Sequence, residues 1–168
     1  VQSGELSVLS LERVWQELAR GLMARQPSRM FAVLRGCGAL ARLLPEPTLD
    51  AGALARLDTA ATAGAPLAVR YALLGWADEA TAALAGARLR VPTVVAALAQ
   101  LFAREGHRLT EWLRPVRALA QGDAEPLLNL FERCDALRRP ERFEALLQCC
   151  QLALHGKAAD AQAPRLLA

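Results

Sequence analysis

A chain of 168 residues with 54% apolar residues and a net charge of +3 suits one domain, and a fold of this size buries about 70% of the surface its unfolded chain exposes. The charge is too small by itself to announce a polyanion binder, and no run nears the roughly 20 uninterrupted apolar residues of a membrane span. The opening VQSGELS lacks both an initiator Met and a signal-peptide pattern, so the expectation is a soluble, cytoplasmic and truncated chain.

Aromatic residues make up only 5%, which leaves Leu, Ala and Val to build the core and favours an all-α fold. The punctuation predicts an array or bundle of roughly eight to ten short helices. Ser10 is the candidate N-cap of the first, where Leu11, Val14, Trp15, Leu18 and Leu22 form one apolar stripe that should end near Arg25. Arg13 and Glu17 are four apart on it and can pair on the surface. Ser28 is the expected cap of a second helix, stopped at Gly36-Cys37-Gly38, and a third runs from Ala39 to Leu44 before Pro45.

Asp50 should cap a fourth helix bearing Leu54, Leu57 and Ala61, and Pro66 should open a fifth with Leu67, Tyr71 and Leu74 inward. Asp78 is placed to cap a sixth, to about Ala85. Val91-Pro92 opens a seventh, with Gly106 read as a break. Arg139-Pro140 ends one helix and begins another, because proline disfavours helical geometry in the residue before it. The last stripe is Phe143, Leu146, Leu147, Cys150 and Leu154, closed by Gly156.

Three blocks carry a resemblance, the first of them, Leu9 to Glu46, in two parts. Ser10-Leu-Glu12-Arg13-Val-Trp15-Gln-Glu17 is similar to the "S/T-x-ER-hydrophobic-x-x-E" neck motif of bacterial tRNA CCA-adding nucleotidyltransferases and their poly(A) polymerase relatives. Phe31 to Leu40 with Leu44-Pro45-Glu46 resembles their "VLR-x-CGAL…L-x-PE" run. Arg88-Leu89-Arg90-Val91-Pro92 matches "RLRVP", and Leu130 to Arg142 resembles "LFD-x-x-DA-x-RKP-x-R". Together they are spread from Ser10 to Arg142.

The resemblance implies residues 1–47 as a neck-like segment, 48–156 as a body and tail with a degenerate HD-type region, and 157–168 as a flexible tail. It implies tRNA or another RNA 3′ end as partner, together with an N-terminal catalytic head that precedes Val1. That whole parent would use Mg²⁺ with CTP and ATP. Arg13 and Glu17 are then structural supports of the nucleotide site at the joint with the head. Whether the parent adds CCA or poly(A) depends on features of the head.

The chemistry within the chain agrees with a non-catalytic piece. Nucleotidyl transfer needs paired carboxylates to hold metal ions, and no Asp-x-Asp occurs. Relatives with an active HD site read "RFA-x-L-x-HDLGK", whereas Arg70 to Glu79 places Trp76 and Ala77 where the His-Asp pair would stand. Only His107 and His155 remain as histidines. Cys37, Cys134, Cys149 and Cys150 have no CxxC spacing and read as free thiols. Of the adjacent pair Cys149-Cys150, one should face the core and the other its edge.

RNA contact has its best sequence support in Arg88, Arg90, Arg104, His107, Arg108, Arg114 and Arg117, set against Glu105 and Glu111. The alternative for these is a solvated helix face whose Arg stems cover apolar neighbours. Two other function classes remain open, a helical protein-interaction module without RNA binding and an HD-type metal phosphohydrolase.

Overall fold

The computed structural model describes residues 11–47, 49–113 and 124–162, and among them the only regular elements are nine α-helices. In chain order they are α1 (Leu11–Leu22), α2 (Pro27–Gly36), α3 (Leu40–Leu43), α4 (Ala51–Thr62), α5 (Leu67–Ala72), α6 (Glu79–Arg88), α7 (Thr93–Trp112), α8 (Ala124–Arg133) and α9 (Pro140–Gln162). The expected all-α fold is the observed one.

Two long helices, α7 and α9, run through the middle. α5 packs on both, α6 covers α7, and α4 packs on α9. α1 and α2 are attached to this centre through α5 and α4. One continuous apolar core results, from Trp15, Leu18, Leu22 and Phe31 through Tyr71 and Leu98 to Leu146 and Cys150. Trp15, Tyr71 and Trp76 stack within it, Tyr71 edge-on to Trp15 at 5.4 Å and tilted against Trp76 at 5.0 Å. Trp76 also donates its indole N–H to the Tyr71 carbonyl at 3.0 Å, so the residue standing in place of a His-Asp pair is a packing residue.

Small side chains let the helices approach closely. Ala82, Ala85 and Gly86 of α6 are buried against α7, and a Cβ at Gly86 would come within 3.2 Å of the Ala96 methyl.

Several local expectations hold. Asp50 caps α4 by accepting from the Ala53 N–H at 2.6 Å, and Asp78 caps α6 by accepting from Thr81 at 2.7 Å. Gly38, after the end of α2, has φ of +71°, as a left-handed helix terminus requires. The Ser10 cap lies outside the described residues.

Others are corrected. α1 ends at Leu22 and not near Arg25, and α6 continues past Ala85 to Arg88. Ser28 is not the cap of α2, which begins at Pro27 with Gln26 at the cap position. Ser28 instead donates its N–H (3.1 Å) and its hydroxyl (2.6 Å) to Asp58 of α4, so a carboxylate from another helix occupies the positive end of α2. Gly106 does not break α7. It is a site of close packing, where an added Cβ would lie 2.6 Å from the Phe102 ring. Gly156 does not end α9, which runs on to Gln162, since one interior glycine costs only about 1 kcal/mol against alanine. Cys149 and Cys150 are both fully buried, because α9 is wrapped by α4, α5 and α7 and has no open edge there.

Candidate nucleic-acid interface

The arginines expected to face RNA fall into two groups. Arg88, at the end of α6, donates to both carboxylate oxygens of Glu46 at 2.7 and 2.8 Å and to the Leu43 carbonyl at 3.0 Å. It therefore ties α6 to the loop after α3. Arg90 follows in the left-handed region, φ 53°, at the close of the helix, where the Val91 N–H reaches the Gly86 carbonyl at 2.9 Å. Its exposed side chain meets Glu12 of α1 at 2.6 Å.

On α7 the centre is acidic. Glu105 is wholly buried, and Arg133 at the end of α8 donates to it through Nη2 at 2.6 Å and Nε at 3.1 Å. Arg104 approaches it at 3.3 Å and Arg108 at 3.4 Å. Arg104 also reaches Glu79 of α6 at 2.8 Å and the Arg133 carbonyl at 3.2 Å. Burying the carboxylate is tolerable because three guanidinium groups surround it. His107 is exposed on the same helix, α7, whereas Arg114 and Arg117 lie outside the described residues.

Arg13 and Glu17 both line a groove of about 670 Å³ walled by α1, α2 and α3, with Phe31, Leu34 and Leu44 on its apolar floor and Arg88 at one end. Glu17 pairs with Arg20 one turn on, at 2.9 Å, and both are well exposed.

A buried arginine outside the predicted interface holds this region to the body. Arg70 of α5 is 4% exposed, and it donates to the carbonyls of Ala65 (2.7 Å), Leu22 (2.8 Å) and Ala24 (3.1 Å). Leu22 closes α1 and Ala24 lies just beyond it, where carbonyls have no helical partner and the dipole favours a cation. Burial lowers its pKa, yet an arginine keeps its proton at any pH at which the chain is folded.

Two other cations lie outside the basic stretch that the sequence favours. Arg25 and Arg29 flank the turn between α1 and α2 and, with Gln26, form one wall of an open cleft of about 930 Å³. Asp58, Ala61 and Thr62 of α4 form the other wall. Arg25 and Arg29 are exposed, and their side chains have no hydrogen-bond or ion-pair partner among the described residues. The available signal was a pair of arginines bracketing the Gln26-Pro27 helix break. It was hidden because a linear charge count favours the longer basic stretch downstream.

Comparison with known proteins places α1 to α3 in a defined context. Residues 2–49 match the family model described as the probable RNA- and SrmB-binding site of polymerase A. The multifunctional CCA protein of Leptothrix cholodnii is 43% identical over 99% of this chain and 48% of its own length. That of Cupriavidus necator is 41% identical over the whole chain and 49% of its own length. The CCA-adding enzyme of Bordetella bronchiseptica is 47% identical over 90% of the chain and 39% of its own length. The chain thus spans about half the length, or less, of these curated relatives. No solved structure matches it.

Proposed function

We infer, for a chain that is a homologue of the bacterial CCA-adding enzymes and carries the RNA-binding region of the polymerase A family, that it holds tRNA for a nucleotidyltransferase and supports that enzyme's active site. The observation that carries this is the match of residues 2–49, which takes in α1, α2, α3 and most of the loop after α3. Six arginines lie in that stretch against four glutamates. The partner is the acceptor half of tRNA or another RNA 3′ end, met in the cytoplasm, and the catalytic head belongs to the same parent chain.

Arg13 and Glu17, on the wall of the groove formed by α1 to α3, are proposed to support the joint with the head. Arg90, Arg104, His107 and Arg108 would face RNA from the α6–α7 side, with Arg114 and Arg117 beyond the described residues. Arg88 would act by keeping the Glu46 loop in place. The parent would add nucleotides from CTP and ATP with Mg²⁺. Among the described residues no three His, Cys, Asp or Glu side chains converge to hold a metal ion. They therefore do not fit that ion, and no transfer step is assigned to them. The phosphohydrolase alternative is disfavoured by the sequence itself, which offers only His107 and His155 as histidines.

A direct test is titration of fluorescent tRNA with the 168-residue chain at several salt concentrations. Saturable binding that weakens steeply with salt is expected; absence of binding at low salt overturns the reading. Added CTP, ATP and Mg²⁺ should give no nucleotide incorporation by this chain alone. A second reading is a protein partner on the same helices, favoured by the apolar groove of about 670 Å³ and by a family description that names SrmB beside RNA. Tight self-association or protein capture together with indifference to RNA would favour it.

A further inference from the structure

We propose that the cleft between the α1–α2 turn and α4 is a phosphate-binding subsite for an RNA backbone, with Arg25 and Arg29 as its two guanidinium ligands. The proposal rests on the RNA-holding reading above and adds where the backbone is gripped.

The first observation is how the cations are committed. Arg88 is spent on Glu46, Arg104 on Glu79 and Glu105, Arg133 on Glu105, and Arg70 on three carbonyls. Those side chains are held by the protein's own acceptors, so an incoming phosphate has to compete for them. Arg25 and Arg29 are exposed, and none of the described residues competes for their guanidinium donors.

The second observation is that they share a concave site. Both line the cleft of about 930 Å³, with the exposed Gln26 between them in sequence. Gln26 makes no side-chain capping bond, so its amide is also available. The one carboxylate in the lining is Asp58, and both its oxygens accept from Ser28, at 3.1 and 2.6 Å. Asp58 is thereby turned to the start of α2 and serves to anchor the cleft wall.

The third observation selects the ligand. The lining holds no aromatic ring on which a base could stack, which removes the usual means of gripping unpaired bases. Guanidinium forks match phosphate oxygens in a bidentate geometry. The cleft is also far larger than one phosphate and open to solvent, as a continuous phosphodiester chain requires.

The experiment compares the unaltered chain with Arg25→Ala, Arg29→Ala and the double variant, using fluorescent tRNA over a range of salt. Arg138→Ala is the control, an exposed arginine with no partner among the described residues and remote in sequence from the cleft. The double variant should lose about tenfold or more in affinity at low salt and flatten the log–log salt slope by about 1.4 to 1.8, two contacts' worth. Arg25→Lys with Arg29→Lys should restore most of the slope, because each lysine still neutralises a phosphate.

Equal binding by the double variant and the unaltered chain overturns the subsite and leaves the RNA-holding reading standing. Failure of the unaltered chain to bind tRNA overturns both. An equal loss in Arg138→Ala shows a diffuse charge effect and overturns the subsite. Binding of inorganic phosphate alone, saturable at micromolar concentration and abolished in the double variant, would reassign the cleft to a small anion and overturn the backbone proposal. Matching circular dichroism spectra and melting temperatures confirm that the exposed substitutions leave the fold intact.

Discussion

Arg88 and Glu46 form a two-pronged ion pair, guanidinium to carboxylate at 2.7 and 2.8 Å, between the end of α6 and the loop that closes α3. It links the stretch matched by the RNA-binding family model to the body of the fold. The pair is partly exposed, so solvent weakens it. Either Arg88→Ala or Glu46→Ala should cost about 1 to 2 kcal/mol in urea unfolding, with a coupling of about 1 kcal/mol in a double-mutant cycle. A coupling near zero would mean that the two side chains act independently.

Arg70 is a different case because the side chain is buried and two of its three hydrogen bonds, to Leu22 and Ala65, are buried as well. Arg70→Met keeps the apolar bulk but leaves the carbonyls of Leu22, Ala24 and Ala65 without their donor. A loss of about 2 to 4 kcal/mol is expected, along with earlier protease cleavage around residues 22–26. A stability change below about 0.5 kcal/mol would show that water replaces the guanidinium there.

Glu105 should behave as the anchor of its cluster. Glu105→Gln preserves shape but removes the charge that three guanidinium groups share, leaving Arg104, Arg108 and Arg133 to repel one another. A destabilisation of about 2 to 3 kcal/mol is expected, relieved in part by adding salt, and Arg133→Met should recover some of it. If salt has no effect on the single variant, repulsion is not the cause.

The cysteines predict an alkaline limit. Burial, first of all, pushes the Cys150 thiol up to about 11 and raises Cys149 further, while an unfolded thiol titrates near its ordinary 9.0. Below pH 9 both states hold the proton and the groups contribute no pH dependence. Above it the unfolded chain ionises first and binds fewer protons than the native state, so stability falls as pH rises. Cys150 should account for a loss on the order of 2 kcal/mol between pH 9 and 11, absent from Cys150→Ala when each protein is compared with itself at pH 8. In the folded chain a thiol reagent at pH 8 should modify the exposed Cys37 rapidly and Cys134, Cys149 and Cys150 only on unfolding.

Much of this protein could be read along the chain. The stripe of Trp15, Leu18 and Leu22, the caps Asp50 and Asp78, and the left-handed Gly38 are local devices, each set by a few neighbouring residues. The resemblance of the neck-like motifs, also a linear property, agrees with the match of residues 2–49. Gly106 and Gly156 misled because a glycine marks a break only where nothing beyond the helix holds the backbone. α7 instead packs on α5, α6 and α9, and Gly106 is buried with its carbonyl facing Cys150 of α9.

What linear reading could not reach were pairings between residues far apart in the chain. Sequence by itself determined the helices, the missing His-Asp pair and the family likeness, since propensity, capping and motif spacing act over a few residues. Only the tertiary structure decided which charges are committed: Arg88 to Glu46, 42 residues away, Arg133 to Glu105, 28 away, and Asp58 to Ser28, 30 away. The reason is physical. A surface arginine and a structural one are the same residue until the fold supplies, or withholds, an acceptor, and the fold supplies one to Arg88 and none to Arg25 and Arg29 among the residues described.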